Sequence, residues 1–135
     1  MIREIQRITV IRVRKPERAN LNFQLQWLGN SLGLFNLRDK DKSCFRIFIE
    51  LLKAAKHNQP LTSDQLAYKL SLTRGTVIHH INKLMDAGIV VVSHSKYSLR
   101  VSDLEELVRE IEDDLHKTLQ NLKEIAKEID DSLSL

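Results

Sequence analysis

Apolar residues change their period several times along the chain, and each change marks an element. From Ser43, "SCFRIFIELLKAAKHNQP" places Cys44, Ile47, Phe48, Leu51, Leu52 and Ala55 at the i, i+3, i+4, i+7, i+8 spacing of an amphipathic helix that ends near Asn58, with Pro60 beyond it. "LTSDQL" then offers Thr62 as N-cap and Gln65 three residues later, a capping box, with Leu61 and Leu66 at the positions of a hydrophobic staple. This predicts a short second helix over about 63–70. After a three-residue turn Thr73 can cap a third helix, Leu72 and Val77 again stand at staple positions, and Gly88 is placed to end it. Two short helices joined by a tight turn form a helix-turn-helix. "IVVVSHSKYSLRV", about 89–101, is β-branched and aromatic on both sides of "SHSK", which predicts a two-stranded hairpin. The turn lacks Asn-Gly or Asp-Gly, so the register is open.

The ends of the chain follow other patterns. From Leu104, with Val108, Ile111, Leu115, Leu122, Ile125 and Ile129 on a 4-3-4 alternation and Thr118 in one slot, no Pro or Gly interrupts a helix of about 30 residues. Such a helix is roughly 45 Å long, too long to bury against so small a body. It reads as a coiled-coil seam of nearly four heptads, with a homodimer as its consequence and folding back on its own domain as the alternative. Ser102 and Glu105 offer it a capping box. At the other end "ITVIRVR" is β-branched enough for a strand over about 8–14. "LNFQLQWLGNSLGLF" fits either period, because Leu21, Phe23, Leu25 and Trp27 alternate while Leu21, Leu25, Leu28 and Leu32 follow a helix. Gly33 followed by Leu34 resembles a C-terminal cap and favours a helix over about 22–32. Trp27 and Phe35 read as core or dimer contacts. The expected division is an arm at 1–42, a helix-turn-helix with wing at 43–101 and a dimerisation helix at 102–135.

Charge adds a direction to this organisation. The total is +3, yet residues 1–100 hold 17 Lys and Arg against 7 Asp and Glu, whereas residues 101–135 hold 4 against 11. The basic part is a candidate polyanion binder, and the acidic helix would stay clear of phosphates. Arg3, Arg7, Arg12, Arg14, Lys15 and Arg18 form a basic arm that could touch DNA backbone or lie on a dimerising strand. No apolar run reaches the 18 residues of a membrane span, and arginines break the apolar residues at the start, so neither a spanning helix nor a signal peptide is expected. The single cysteine, Cys44, lies in an apolar stretch and fits a buried thiol in a reducing compartment. The expected location is the cytoplasm, in association with the nucleoid.

At about 100° per residue Val77, Ile81 and Leu84 fall in one narrow sector of the third helix, which must pack on the first two. Gly75, His79, Asn82 and Lys83 then point outward, with Thr76 at the border and Arg74 in the first turn. Neighbouring residues on a helix do not face each other, so His79 and His80 cannot share a metal; His79 faces out and His80 lies beside the core sector. The i+3 and i+4 neighbours of the pair include no usual metal ligand. No Ser/His/Asp set, phosphate loop or carboxylate pair comes with supporting context, so neither catalysis nor a cofactor is expected.

Residues 43–101 resemble the winged helix-turn-helix of ArsR- and MarR-like transcriptional regulators, especially small archaeal ones. The resemblance rests on "LTSDQLAYKLSLTRGTVIHHINKLMDAGIV", in which "SLTRGTVIHHINKL" is similar to the DNA-reading helix and "AGIV" to the turn into the wing. It implies a mainly α fold with a small β wing (α+β), double-stranded DNA as partner, and a homodimer. Metal-sensing relatives use cysteine pairs, or Asp/His/Glu sets on the terminal helix; here Asp114 and His116 lack the second histidine and no metal is expected.

A helix of this kind fits the major groove with its N-terminal residues nearest the bases. The candidate DNA contacts are Thr73, Arg74, Gly75, Thr76, His79, Asn82 and Lys83, with Lys96 and Arg100 on the wing. Arg74 suits guanine, Asn82 adenine and Lys83 phosphate, and Gly75 permits close backbone approach. The candidate dimer residues are Leu104, Val108, Ile111, Leu115, Leu122, Ile125 and Ile129. Beside a sequence-specific regulator stand two other readings, a nucleoid protein with little sequence preference and a protein-binding adaptor.

Overall fold

Local hydrogen bonds set the ends of most helices. The computed structural model describes residues 6–17, 20–35 and 41–134. In chain order these form α1 (Leu21–Ser31), α2 (Ser43–Ala55), α3 (Ser63–Leu70), α4 (Arg74–Asp86), β1 (Val90–Ser93), β2 (Lys96–Leu99) and α5 (Leu104–Leu133). In α1 the Asn20 side chain accepts from the backbone N–H groups of Asn22 and Phe23. The helix ends in a Schellman motif: Gly33 lies at φ +72°, its N–H donates to Asn30, and Leu34 N–H donates back to Gly29. That termination resolves the ambiguous period of this segment as a helix. Thr62 and Gln65 form the expected reciprocal capping box on α3. Thr73 caps α4, and Gly88, at φ +74°, closes it with Ile89 N–H donating to Leu84.

The wing is an antiparallel hairpin in which Val90 faces Leu99 and Val92 faces Tyr97. Its turn has two residues, His94 and Ser95, both with positive φ as a type I′ turn requires. Leu61 pairs with Tyr97 through both backbone hydrogen bonds and ties the wing to the α2–α3 connection.

Two expectations are corrected. The segment 8–14 forms no strand. It runs beside α1 and the end of α4, held by single contacts: Arg7 N–H to Asp86 carbonyl, Ile11 N–H to Ser31 carbonyl, and Trp27 Nε1–H to Val13 carbonyl. β-branched composition favours an extended chain, but a strand needs a sheet edge, and here the neighbours are helices that offer it single carbonyls at their C-terminal ends. The N-cap of α5 is Asp103 rather than Ser102, and its carboxylate accepts from Glu106 N–H at 2.8 Å. A carboxylate at a helix N-terminus gains from the helix dipole, which a hydroxyl does not.

One apolar core joins the parts that the sequence divides. Ile47, Phe48 and Leu51 of α2, Leu66 of α3, Val77, Ile81 and Leu84 of α4, and Ile89 before the wing form its centre. Leu32 and Leu34 reach it from the end of α1, and Leu107 and Ile111 from α5. The core is therefore continuous across both 42 and 101. Leu107 is fully buried, so Leu107→Ala should cost about 2–5 kcal/mol by transfer and cavity terms. Leu122, on the same helix but 60 % exposed, should lose little intrachain packing when changed to alanine. Thermal unfolding of the two variants at low protein concentration checks the contrast.

Candidate nucleic-acid interface

The reading face follows from the packing of α4 on α2 and α3. Val77, Ile81 and Leu84 are at most 1 % exposed, so the helix is held by one side. His80 is buried beside them, whereas Arg74, Gly75, His79, Asn82 and Lys83 are exposed and Thr76 is half-buried. The adjacent histidines thus separate as helix geometry requires.

At the start of α4, Thr73 Oγ1 accepts from Thr76 N–H at 3.1 Å and donates to Thr76 Oγ1 at 2.9 Å. The first turn is therefore rigid where side chains would meet a duplex. Arg74 lies 3.8 Å from Asp64 of α3, both largely exposed. Such a pair contributes at most about 1 kcal/mol and leaves the guanidinium free to exchange partners. Gly75 has no atom within 4 Å of where a Cβ would stand. Its lack of a side chain is required by nothing inside the protein.

On the wing, Lys96 is exposed next to the two-residue turn. Arg100 is placed differently. Its Nε lies 2.6 Å from Glu110 Oε1, Nη1 donates to Asp114 Oδ2, and Nη2 to Asp114 Oδ1 at 3.3 Å. Arg100 is thus paired with carboxylates of α5. Gln6 Nε2 donates to the same Asp114 at 3.1 Å and lies 3.5 Å from the Ala87 carbonyl at the end of α4. The forked hydrogen bond from Arg100, then that from Gln6, holds the Asp114 carboxyl below the usual carboxylate range against the opposing effect of burial. The same pair raises Arg100 above its ordinary value. Asp114 could not serve a metal without losing these partners, and among the described residues no three His, Cys, Asp or Glu side chains stand together as a metal group.

Along α5 the candidate dimer residues divide. Ile111 is buried in the core and is removed from the exposed seam; Leu104 and Leu115 are half-buried. Val108, Leu122, Ile125 and Ile129 are exposed, and Leu119 and Leu133 join them. A groove of about 630 Å³ between α1 and the first turns of α5 is lined by Leu21, Leu25, Leu28, Leu104 and Val108. In the basic arm, Arg7, Arg12, Arg14 and Lys15 are described and Arg14 pairs with Glu17; Arg3 and Arg18 lie outside the described residues.

Sequence reasoning missed Leu107, Gln6 and the carboxylate partners of Arg100. Leu107 had a signal, since Leu104, Leu107 and Ile111 form their own i, i+3, i+7 row. The Arg100 contacts had none, because their partners lie ten residues and more away.

Residues 49–92, about a third of the chain, match the family model described as bacterial regulatory protein, arsR family. No curated protein and no solved structure matches the chain. The matched stretch runs from within α2 into β1, and the chain has the architecture of a winged helix-turn-helix, with a hairpin wing and a long C-terminal helix. The match is thus to a family of regulatory proteins, and no helix among the described residues is long and apolar enough to cross a membrane.

Two outcomes follow. Gly75→Ala should stabilise the free protein by up to about 1 kcal/mol, because alanine favours the helix and meets no neighbour. The same change should weaken duplex binding by obstructing backbone approach; thermal unfolding and duplex titration of one preparation measure both signs. Asp114, with its depressed pKa, contributes stability that is present above the ordinary carboxylate value near about 4 and is lost as pH falls through its own lower value. Asp114→Asn should flatten that acid limb while leaving the rest of the pH profile in place, read by thermal unfolding from neutral pH downward.

Proposed function

We propose that the protein is a sequence-specific transcriptional regulator that binds double-stranded DNA as a homodimer, with α4 in the major groove and the wing against the backbone. The observation that carries this reading is the two-sided α4. One side is locked by Val77, Ile81 and Leu84, and the other presents Arg74, Gly75, His79, Asn82 and Lys83 behind a capped first turn. Arg74 reads a guanine edge, Asn82 an adenine edge, Lys83 meets phosphate, Thr73, Thr76 and His79 flank them, and Lys96 extends the contact from the wing.

The dimer follows from α5. Beyond Asp114 its residues contribute nothing to the buried core, yet Leu115, Leu119, Leu122, Ala126, Ile129 and Leu133 keep an alternating 4-3 spacing. An apolar seam of this period, left in water by its own domain, is covered by a second copy of the same helix. Ile125, also exposed, lies beside this row. Two copies would present two reading helices to half-sites about one helical turn apart.

Titration against random and selected duplexes at several salt concentrations tests the reading. Expected are a steep salt slope, a selected palindrome, and a loss of about 1–3 kcal/mol in Arg74→Ala with relaxed specificity at one base pair. Lys83→Ala should weaken binding evenly across sequences and reduce the salt slope by about 1. Leu122→Asp with Ile129→Asp should give monomers by sedimentation. Salt-steep binding without any selected sequence favours the nucleoid reading. No binding at low salt favours the adaptor.

A further inference from the structure

We propose that Asp114 and Arg100 are positioning residues that fix the angle at which α5 leaves the DNA-binding body, and thereby the spacing of half-sites that the dimer accepts. The inference rests on the dimeric DNA-binding reading above. It starts from where α5 touches its own chain. Leu107 and Ile111 are the buried side chains of this helix, Asp114 and Leu115 are half-buried, and every described residue from His116 to Ser134 is exposed. Among the described residues Asp114 is therefore the last polar tie between the helix and the body.

The tie gathers three elements at one carboxylate. Arg100 stands directly after β2, at the root of the wing, and holds both Asp114 oxygens while its Nε holds Glu110 one turn earlier. Gln6 brings in the N-terminal segment and reaches the Ala87 carbonyl at the C-terminal end of α4. There it lies so close over Gly88 that a Cβ would collide with its side-chain amide. The end of the reading helix, the root of the wing and the dimer helix thus meet within one hydrogen-bonded cluster.

Directionality is what this cluster adds. The apolar contacts of Leu107 and Ile111 hold α5 down without fixing its direction, because hydrophobic association is non-directional. A forked guanidinium–carboxylate pair is planar and fixes orientation. Leverage then makes small changes large. The 19 residues from Leu115 to Leu133 extend about 29 Å beyond the tie. A tilt of about 10° at the base moves the far end by about 5 Å, more than the roughly 3.4 Å rise of one base pair. Net stability is a lesser consequence, because a partly buried ion pair recovers little beyond the desolvation of its members.

The experiment uses the full chain and a duplex series: two copies of the half-site selected by the wild-type protein, separated by spacers lengthened one base pair at a time. Wild type should bind one spacing at least tenfold more tightly than spacings two base pairs away. Asp114→Ala should keep the half-site sequence and the dimer by sedimentation but reduce that preference to less than threefold. Combining Arg100→Asp with Asp114→Arg should restore a single preferred spacing, since the relocated guanidinium would keep Glu110 one turn away; a merely structural loss would not be rescued this way. If Asp114→Ala does not fold, Asp114→Asn, which keeps shape and loses charge, should broaden the profile in the same direction. A wild-type spacing profile in the folded Asp114 variant, or a double variant as broad as Asp114→Ala, overturns the inference alone. A wild-type selection that yields no paired half-sites overturns the dimeric reading and this inference with it.

Discussion

The burial of Val77, Ile81 and Leu84 is the constraint from which the rest of the winged-helix body takes its orientation. Each side chain removed from water contributes roughly 1.5–3 kcal/mol, several times the worth of the caps and surface pairs around it. With that sector fixed on α2 and α3, the polar side of α4 has no freedom to choose its direction. His79, Asn82 and Lys83 face outward because a neighbour one residue away faces in, and Arg74 lies on the exposed first turn. The same rotation buries His80, so the two histidines lie in different environments although their rings stand 5.2 Å apart, edge to face.

A second division of one helix shapes the other half of the molecule. α5 carries two apolar rows, Leu104–Leu107–Ile111 and Val108–Leu115–Leu119–Leu122–Ala126–Ile129–Leu133. The first row completes the core of its own body. The second continues past the end of that body, with Val108 at the edge of the groove against α1. Neither row alone describes the helix, and reading them as one seam assigns Ile111 to the wrong side. A contiguous apolar stripe that its own chain does not cover is the physical basis for proposing a second copy.

Legibility in the sequence tracked the range of the interactions. Caps and terminating glycines act within six residues, so Thr62 with Gln65, Thr73, Gly33 and Gly88 could be read directly. The inward and outward faces of α4 needed only the helical period and were equally legible. The strand at 8–14 was not, because strand formation depends on a partner edge that composition does not specify. His94 and Ser95 form a tight turn with residues that rarely adopt positive φ, which local preference would not choose and pairing of the flanking strands imposes. Arg100 illustrates the longest range: its position after a wing suggests phosphate, and only the three-dimensional return of α5 places carboxylates beside it.

That return also gives the uneven charge of the chain a structural meaning. The basic body and the acidic helix carry opposite signs, and a flexible chain would let them collapse on one another without order. Here one arginine at the root of the wing meets two carboxylates in the first three turns of α5. Glu124, Glu128, Asp130 and Asp131 lie farther along the helix. Screening at physiological salt acts over about 8 Å, so charges well beyond that distance neither weaken DNA attraction nor hold the helix. Long-range attraction between the halves is therefore too diffuse to orient α5. Orientation comes from the local, hydrogen-bonded contacts at its base, and the free length beyond them remains available to a partner.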